Sequence, residues 1–578
     1  MMVRRIAPFA IAAVTFAVFA PALLYGFLLW DDDRNFLNNP LYRGLGWTQV
    51  RWAFTSAVMG HWIPVTWLSF GVDHAVWGMN AFGYHLTNVL LHAANAALFY
   101  QLGRRLLTLG LPAARPWAAV LGAAAAALFF AVHPLRVESV AWITERRDVL
   151  SALFCLLTVL AYLRACGAEG VVRRRWLLAS IAAYALGLLS KSLIMSLPLV
   201  LLVLDVYPLR RAHGNWRRVL LEKVPYLALA LAAAAVSVLV VMAKVGLTSA
   251  AAYPPSARSA MALYSLAFYV VKTLVPLELS PMYELPAKVA LTSPRFLAAA
   301  LIAVGLTVVL VLARRRWPAG LAVWLFYGLT LAPVSGIVHN GPQLVADRYS
   351  YLSCLGLALL LGAAVTAAVS GAAIARPLRA AVVVGALGWI VGLSALTAEQ
   401  LPIWRDAEAL WQRALAVDPN CAFCHGQWGA LLGNRGELGL AIAHFQRVVE
   451  LRPANVRHRG NLGLALLKAK RPTEAAAQFE RMLAAEPGDA ETRTRLGLAL
   501  VSQGKLADAS VQFERASRDD PRNVTALMNL GLSLLDLGRP SEAVPYLERA
   551  LAIDSGSPVG RAGLARARAA SAPGPRLP

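Results

Sequence analysis

Up to about residue 400, long apolar runs alternate with short polar segments. Beyond that the runs break up and charge rises. The runs have the ~17–24 residues a helix needs to cross a bilayer. They predict spans at 6–29, 85–103, 116–132, 148–164, 176–191, 192–208, 222–243, 295–313, 317–334, 349–370 and 379–398, about eleven in all. The first run follows Arg4-Arg5, is too long for a signal-peptide core, and has Pro21 after its one small-residue site, Ala20. It is expected to stay as an uncleaved span with a cytoplasmic N-terminus. Met261–Val275 is apolar but contains Lys272 and runs into Pro276. A full crossing there would flip everything downstream, so it is expected to be interfacial or re-entrant.

The second part is periodic. Pro419, Pro453, Pro487 and Pro521 lie 34 residues apart, as do Gly429, Gly463, Gly497 and Gly531. Ala441, Ala475, Ala509 and Ala543 share the period, and so do Phe445, Phe479 and Phe513. This is the tetratricopeptide pattern: small residues where the two helices of a repeat meet, proline after the second. The expected fold class is therefore all-α, a polytopic membrane helix bundle followed by a repeat solenoid. The expected divisions are a membrane domain over 1–400 with a long first loop (30–84), repeats over 404–557, and an extension over 558–578 whose tail from Ala569 is disordered. A stacked solenoid offers a concave groove for a peptide or partner helix.

Composition agrees. The chain is 58% apolar and 15% charged, with a mean hydropathy of +0.56, against ~45–50% and ~25% in soluble domains. Bulk disorder and a small disulfide scaffold are excluded. The net charge of +23 would suggest nucleic acid in a soluble protein. Here the basic residues sit in clusters between apolar runs: Arg104-Arg105, Arg173–Arg175, Arg210-Arg211, Arg217-Arg218, Arg314–Arg316, and Arg376 with Arg379. The positive-inside rule accounts for them and places them in the cytoplasm. No nucleic-acid partner is expected.

The opposite loops carry mixed charge. Asp31-Asp32-Asp33 opens the first, His133 through Glu138 and Glu145-Arg146-Arg147-Asp148 form the second, and Lys191 sits at the mouth between two spans. A late loop holds His339, Asn340, Asp347, Arg348 and Tyr349. Ionisable groups gathered at one membrane face mark a site; the alternative is that each snorkels to water or caps a helix. Helix capping is likewise the alternative for Asp31–Asp33. His85, Asn88, His92 and Asn95 share one helix face and are expected to hydrogen-bond between helices. Of the five cysteines, Cys155, Cys166 and Cys354 read as buried small hydrophobes. Cys421-Ala422-Phe423-Cys424-His425 has the spacing of a haem attachment site, of a local disulfide, or of two free thiols; no second pair completes a zinc site.

Several stretches resemble one family. They are Trp30-Asp31-Asp32 with Asn39-Pro40, His61-Trp62-Ile63-Pro64, Tyr84-His85-Leu86-Thr87-Asn88, His133-Pro134 through Trp142, Glu145–Asp148, Leu189-Ser190-Lys191-Ser192, Leu279-Ser280-Pro281 and Ala346–Tyr351. With the repeats, they resemble bacterial relatives of the transmembrane, tetratricopeptide-repeat-containing O-mannosyltransferases, of the GT-C class. The resemblance implies a polyprenyl-phosphate sugar donor and an acidic pair; Asp31 and Asp32 align best, with Asp33 an extra residue.

Sugar transfer from a lipid phosphate to a hydroxyl needs a base near the acceptor and cations near the leaving phosphate. Asp31 or Asp32 suits the first role. Arg146, Lys191 and Arg348 suit the second, and His133 and Glu138 could orient the donor or the acidic pair. Arg147, Asp148 and Asp347 complete the expected substrate-binding set. No cofactor or metal is expected, although three adjacent carboxylates could hold a divalent cation. The expected partners are a polyprenyl-phosphate sugar, a protein or peptide acceptor on the repeats, and membrane lipid, in a bacterial plasma membrane with the first loop and the repeats outside. The competing readings are a non-catalytic membrane scaffold for an envelope complex and a lipid-linked sugar flippase; the latter would place its polar groups nearer the midplane.

Overall fold

The computed structural model describes residues 2–211, 214–244, 253–337, 341–371 and 375–572; His339 and Asn340 lie outside them. It divides into two compact units, Met1–Val417 and Asp418–Pro578.

Among its described residues the first unit is helical apart from loops, one short antiparallel ladder, Tyr283–Glu284 against Gln343–Val345, and an isolated bridge between Val58 and His61. Proline opens the helices Pro64–Trp77, Pro116–Ala131, Pro255–Leu274, Pro294–Leu312 and Pro318–Leu331. A first-turn N–H has no intrahelical partner to lose, so proline costs nothing there. Among the described residues five helices are long and apolar enough to cross a membrane: Arg4–Leu24, Ile143–Cys166, Trp216–Ala243, Pro294–Arg315 and Arg376–Trp404. Two bent pairs bring the number to seven: Pro116–Ala131 with Pro134–Ala141, and Asp347–Ser353 with Leu355–Ser370.

By length and composition, the described residues thus supply five to seven such helices against the eleven spans expected. Ala81–Gly110 and Gly170–Ser190, with 30 and 21 residues, are long enough. The first is interrupted by its His/Asn face and Arg104-Arg105, the second by Arg173–Arg175. Ser192–Val206 and Pro318–Val334 are apolar but short. Met261–Val275 lies almost wholly within the unbroken Pro255–Leu274 helix, which excludes a re-entrant turn; this helix is not among the five.

The polar face of Ala81–Gly110 is used between helices. Asn95 donates to the Val149 carbonyl (2.8 Å) and to the Tyr351 hydroxyl (3.0 Å). His92 contacts the same hydroxyl (2.7 Å) and the Ala131 carbonyl (2.9 Å). The long first loop has its own aromatic core of Phe36, Tyr42, Trp67, Phe70 and Tyr84. Trp30, at the start of that loop, stacks on Trp142 at 4.5 Å and meets the edge of Trp411 at 5.1 Å.

The second unit is a run of antiparallel helix pairs, from Ala422–Asn434 with Leu438–Leu451 through Val524–Asp536 with Pro540–Ile553. The 34-residue period has a steric cause. A Cβ at Gly429, Gly463 or Gly497 would come within 3.0, 2.6 or 2.5 Å of Phe445, Phe479 or Phe513, and at Gly531 within 2.5 Å of Leu547. Two boundaries differ from expectation. The Ala407–Val417 helix belongs to the first unit, where it packs on the 401–404 turn. The extension forms a helix, Pro558–Ser571, that takes in Ala569–Ser571, the start of the expected disordered tail; residues 573–578 lie outside the described residues. That helix packs on the last pair, as a terminal cap of a solenoid does.

Candidate active site

Consecutive acidic residues take different environments. Asp31 has φ 66°, the left-handed region in which a side chain is strained. That twist turns Asp32 inward. Its carboxylate is fully buried and accepts the Leu28 N–H at 2.8 Å and the Thr144 hydroxyl at 2.6 Å. Asn35 supports Thr144 by donating to it at 3.0 Å. Asp32 thus closes its own turn instead of capping the Asp33–Leu37 helix. Burial raises its pKa to about 7, against the lowering effect of the Thr144 and Leu28 hydrogen bonds. Asp31 is half-buried, and among the described residues nothing hydrogen-bonds its carboxylate. Loss of hydration raises its pKa, opposed chiefly by the charges of Arg147 and Arg348.

Those cations belong to an ion-pair lattice centred on Glu145, which the expected site set lacked. Arg147 Nε lies 3.0 Å from Glu145, Lys191 Nζ 3.1 Å and Arg348 Nε 3.4 Å. Lys191 also pairs with Asp148 at 2.6 Å. Glu138 accepts the Arg348 backbone N–H at 2.8 Å and pairs with its guanidinium. A helix turn and two loop ends therefore bring Asp31, Glu138, Arg147, Asp148, Lys191 and Arg348 together. The side chains of Arg147, Lys191 and Arg348 keep 10–14% exposure, enough to meet a ligand at one face.

Arg146 points elsewhere. Its side chain has no exposure, pairs with Asp73 at 2.6 Å, donates to the Tyr84 carbonyl at 2.7 Å and to Asn88, and stacks on Phe70. Adjacent helical residues project about 100° apart, so only one of the two arginines can face the cluster. His133 is also structural: its ring accepts the Leu135 N–H at 3.2 Å and contacts the Thr273 carbonyl at 3.1 Å. Asp347 is buried and takes a hydrogen bond from Tyr283 at 3.0 Å.

His61, part of the His61–Pro64 stretch but outside the expected site residues, also lies near the cluster. The residue is exposed, yet its ring is surrounded by protein. That loss of hydration, then the charges of Arg147 and Lys191, bring its pKa down to about 3, so it is neutral at physiological pH. Its motif context was legible, but its proximity to Arg147 was not. Among the described residues no three His, Cys, Asp or Glu side chains converge as metal ligands. Cys421 and Cys424 form a disulfide, so neither sulfur is free for a haem thioether.

Two family models match: dolichyl-phosphate-mannose-protein mannosyltransferase over residues 60–241, and tetratricopeptide repeat over 427–490 and 494–558. Mouse protein O-mannosyl-transferase TMTC2 is 36% identical over 155 residues, 25% of this chain and 17% of the mouse protein; the human protein gives the same values. Fruit-fly protein O-mannosyl-transferase Tmtc2 is 33% identical over 206 residues, 34% of this chain and 21% of its own length. Among solved structures, a double mutant of MamA is 25% identical over 26% of this chain and 84% of its own, with a TM-score of 0.25. YrrB, a repeat protein with an unusual peptide-binding site, is 22% identical over 30% and 88%, with a TM-score of 0.26.

Fold and matches together define a class: an α-helical protein with several long apolar helices and a C-terminal repeat region. Within that class the chain is related to the protein O-mannosyl-transferases named above. The relatives named here are animal proteins. The matched segment spans about a fifth of their length.

Proposed function

We propose that the protein is a membrane glycosyltransferase of GT-C type that moves a sugar, mannose by relatedness, from a polyprenyl phosphate to a protein hydroxyl on the non-cytoplasmic side. The repeats hold the acceptor. One observation carries this reading: a half-buried carboxylate without a hydrogen-bond partner among the described residues, Asp31, lies in the field of Arg147 and Arg348 within a lattice of partly exposed cations.

The chemistry follows from those groups. Asp31 takes the proton of the acceptor hydroxyl as its oxygen attacks the anomeric carbon. The bond from that carbon to the phosphate oxygen breaks, and its electron pair leaves with the lipid phosphate. Arg147, Lys191 and Arg348 stabilise the charge that grows there; arginine suits such an oxyanion through paired N–H donors. Neutral His61 donates or accepts a hydrogen bond without adding charge. Asp32 positions Asp31 through the turn it closes. Glu138 positions Arg348, and Asp148 positions Lys191.

The test is release of lipid phosphate by the full-length protein in nanodiscs, given polyprenyl-phosphate mannose and a serine/threonine acceptor peptide. Asp31→Asn is expected to abolish most transfer while donor binding persists. Full turnover in the Asp31→Asn/Asp32→Asn double variant would overturn this reading and favour a scaffold.

A further inference from the structure

The other end of the same helices carries a second, unrelated feature. A cavity of about 850 Å³ opens where the Arg146–Cys166 helix ends and Gly170–Ser190 begins, beside the start of Trp216–Lys244. The 21-residue Arg146–Cys166 helix puts about 30 Å between this cavity and Arg147, so it is no part of the candidate active site.

Its wall is built from cations. Arg173, Arg174, Arg211 and Arg218 line it, against the one lining carboxylate, Glu169. Arg173, Arg211 and Arg218 all converge on a single carboxylate, Glu222. Arg211 is also fixed from behind by Asp205 at 2.7 Å and by the Tyr162 hydroxyl at 2.7 Å. Asp205 is not free to neutralise it, since Asp205 also pairs with buried Lys223 at 2.6 Å. Among the described residues Arg174 has no carboxylate partner. Arg173 and Arg211 are thus held in place, while Arg218 and Arg174 are more exposed, and the four together leave a positive excess. Apolar residues flank the cavity: Leu177 and Val219 are part of the lining, Leu221 shares an adjoining hollow with Arg173 and Arg218, and Val172 and Leu178 are 55% and 58% exposed on the helix that carries Arg173 and Arg174.

We propose that this cavity binds a phosphate-bearing anion, and that the anion is the headgroup of an anionic phospholipid whose acyl chains lie along these apolar residues. Fixed arginines match phosphate oxygens, and the apolar flank supplies what a soluble phosphate would not need. A basic membrane face attracts anionic lipid in general; a built site retains it at specified residues.

The experiment is native mass spectrometry of the full-length protein released from micelles containing phosphatidylglycerol or phosphatidylcholine, with inorganic pyrophosphate as the soluble probe. The expected result is a retained phosphatidylglycerol adduct that phosphatidylcholine does not reproduce. The exposed double variant Arg174→Gln/Arg218→Gln should weaken it about 25-fold, at about fivefold per basic residue. Arg314→Gln/Arg315→Gln, a basic pair outside the cavity, should leave it unchanged and controls for general surface charge. Pyrophosphate binding that the cavity variant abolishes, without lipid retention, would support the same phosphate site with a soluble source. The proposal is overturned if both double variants lose the lipid equally, or if the cavity variant binds lipid and pyrophosphate as the parent does.

Discussion

Thr144 donates its hydroxyl hydrogen to Asp32 at 2.6 Å, and the residue after Thr144 is Glu145, the hub of the ion-pair lattice. One side chain therefore sets the spacing between the acidic turn and the cations. Thr144→Val keeps the shape but leaves Asp32 without this donor. An unsatisfied buried group costs about 1–3 kcal/mol, so thermal stability should fall by that order. Turnover should fall further than donor affinity, and Thr144→Ser should restore both. Equal loss in Thr144→Ser would show that the methyl group, not the hydroxyl, matters.

Asp31→Asn keeps size and polarity but cannot take a proton. General-base assistance is worth ~10²–10⁴-fold in rate, and turnover should drop within that range at unchanged donor affinity. Asp31→Gly should be as inactive yet no less stable than the parent, because glycine adopts positive φ without strain. Thermal unfolding and lipid-phosphate release, measured on the same preparations, separate the two effects.

Arg146→Ala should act on folding. Removing it strands Asp73 in the interior, and breaking a buried pair costs about 3–5 kcal/mol. Expression and melting temperature should collapse. Arg147→Gln should instead leave a folded protein with weakened donor binding and slower turnover. A well-folded Arg146→Ala protein with a specific donor defect would restore the phosphate role that the sequence suggested.

The raised pKa of Asp32 gives stability a pH dependence of definite sign. Its folded value, about 7, lies above the ~3.9 of an unfolded aspartate. The folded state therefore binds the proton more tightly. This contribution is fully present below about pH 4 and is lost as pH rises to about 7. Melting temperature should carry a falling component between about pH 4 and pH 7 that Asp32→Asn removes. An unchanged profile in that variant would refute the assignment.

In the repeats, Gly463→Ala should destabilise by about 1–3 kcal/mol through overpacking against Phe479, read as a lower melting temperature of the repeat transition. Gly439, with open space around it, should accept alanine freely.

The repeats were legible because a 34-residue period leaves a mark in every copy: Gly463 and Phe479 recur as a contacting pair. The membrane unit was legible as apolar runs, but hydropathy counts a helix such as Ala81–Gly110 by its apolar residues. It does not register that His92 and Asn95 face inward to Tyr351. The site was legible in part for the same reason. Charged residues at loop ends announce themselves, and Asp31, Lys191 and Arg348 do converge. Which of Arg146 and Arg147 faces the cluster depends on helix rotation, set by a partner 73 residues away in the chain, Asp73. Thr144 and His61 carry no charge signal, and only the folded chain brings them to the cluster.

Glu145 holds Arg147, Lys191 and Arg348 before any ligand arrives. Under the proposed chemistry, an incoming lipid phosphate competes with an anion the protein supplies itself. Free phosphate, with no lipid tail or sugar to add contacts, is a poor competitor for those cations. After transfer, the same carboxylate stands ready to reclaim its partners, so the spent lipid leaves a site that closes electrostatically behind it. A resident counter-ion of this kind sets a threshold of occupancy: it favours turnover over tight retention of product.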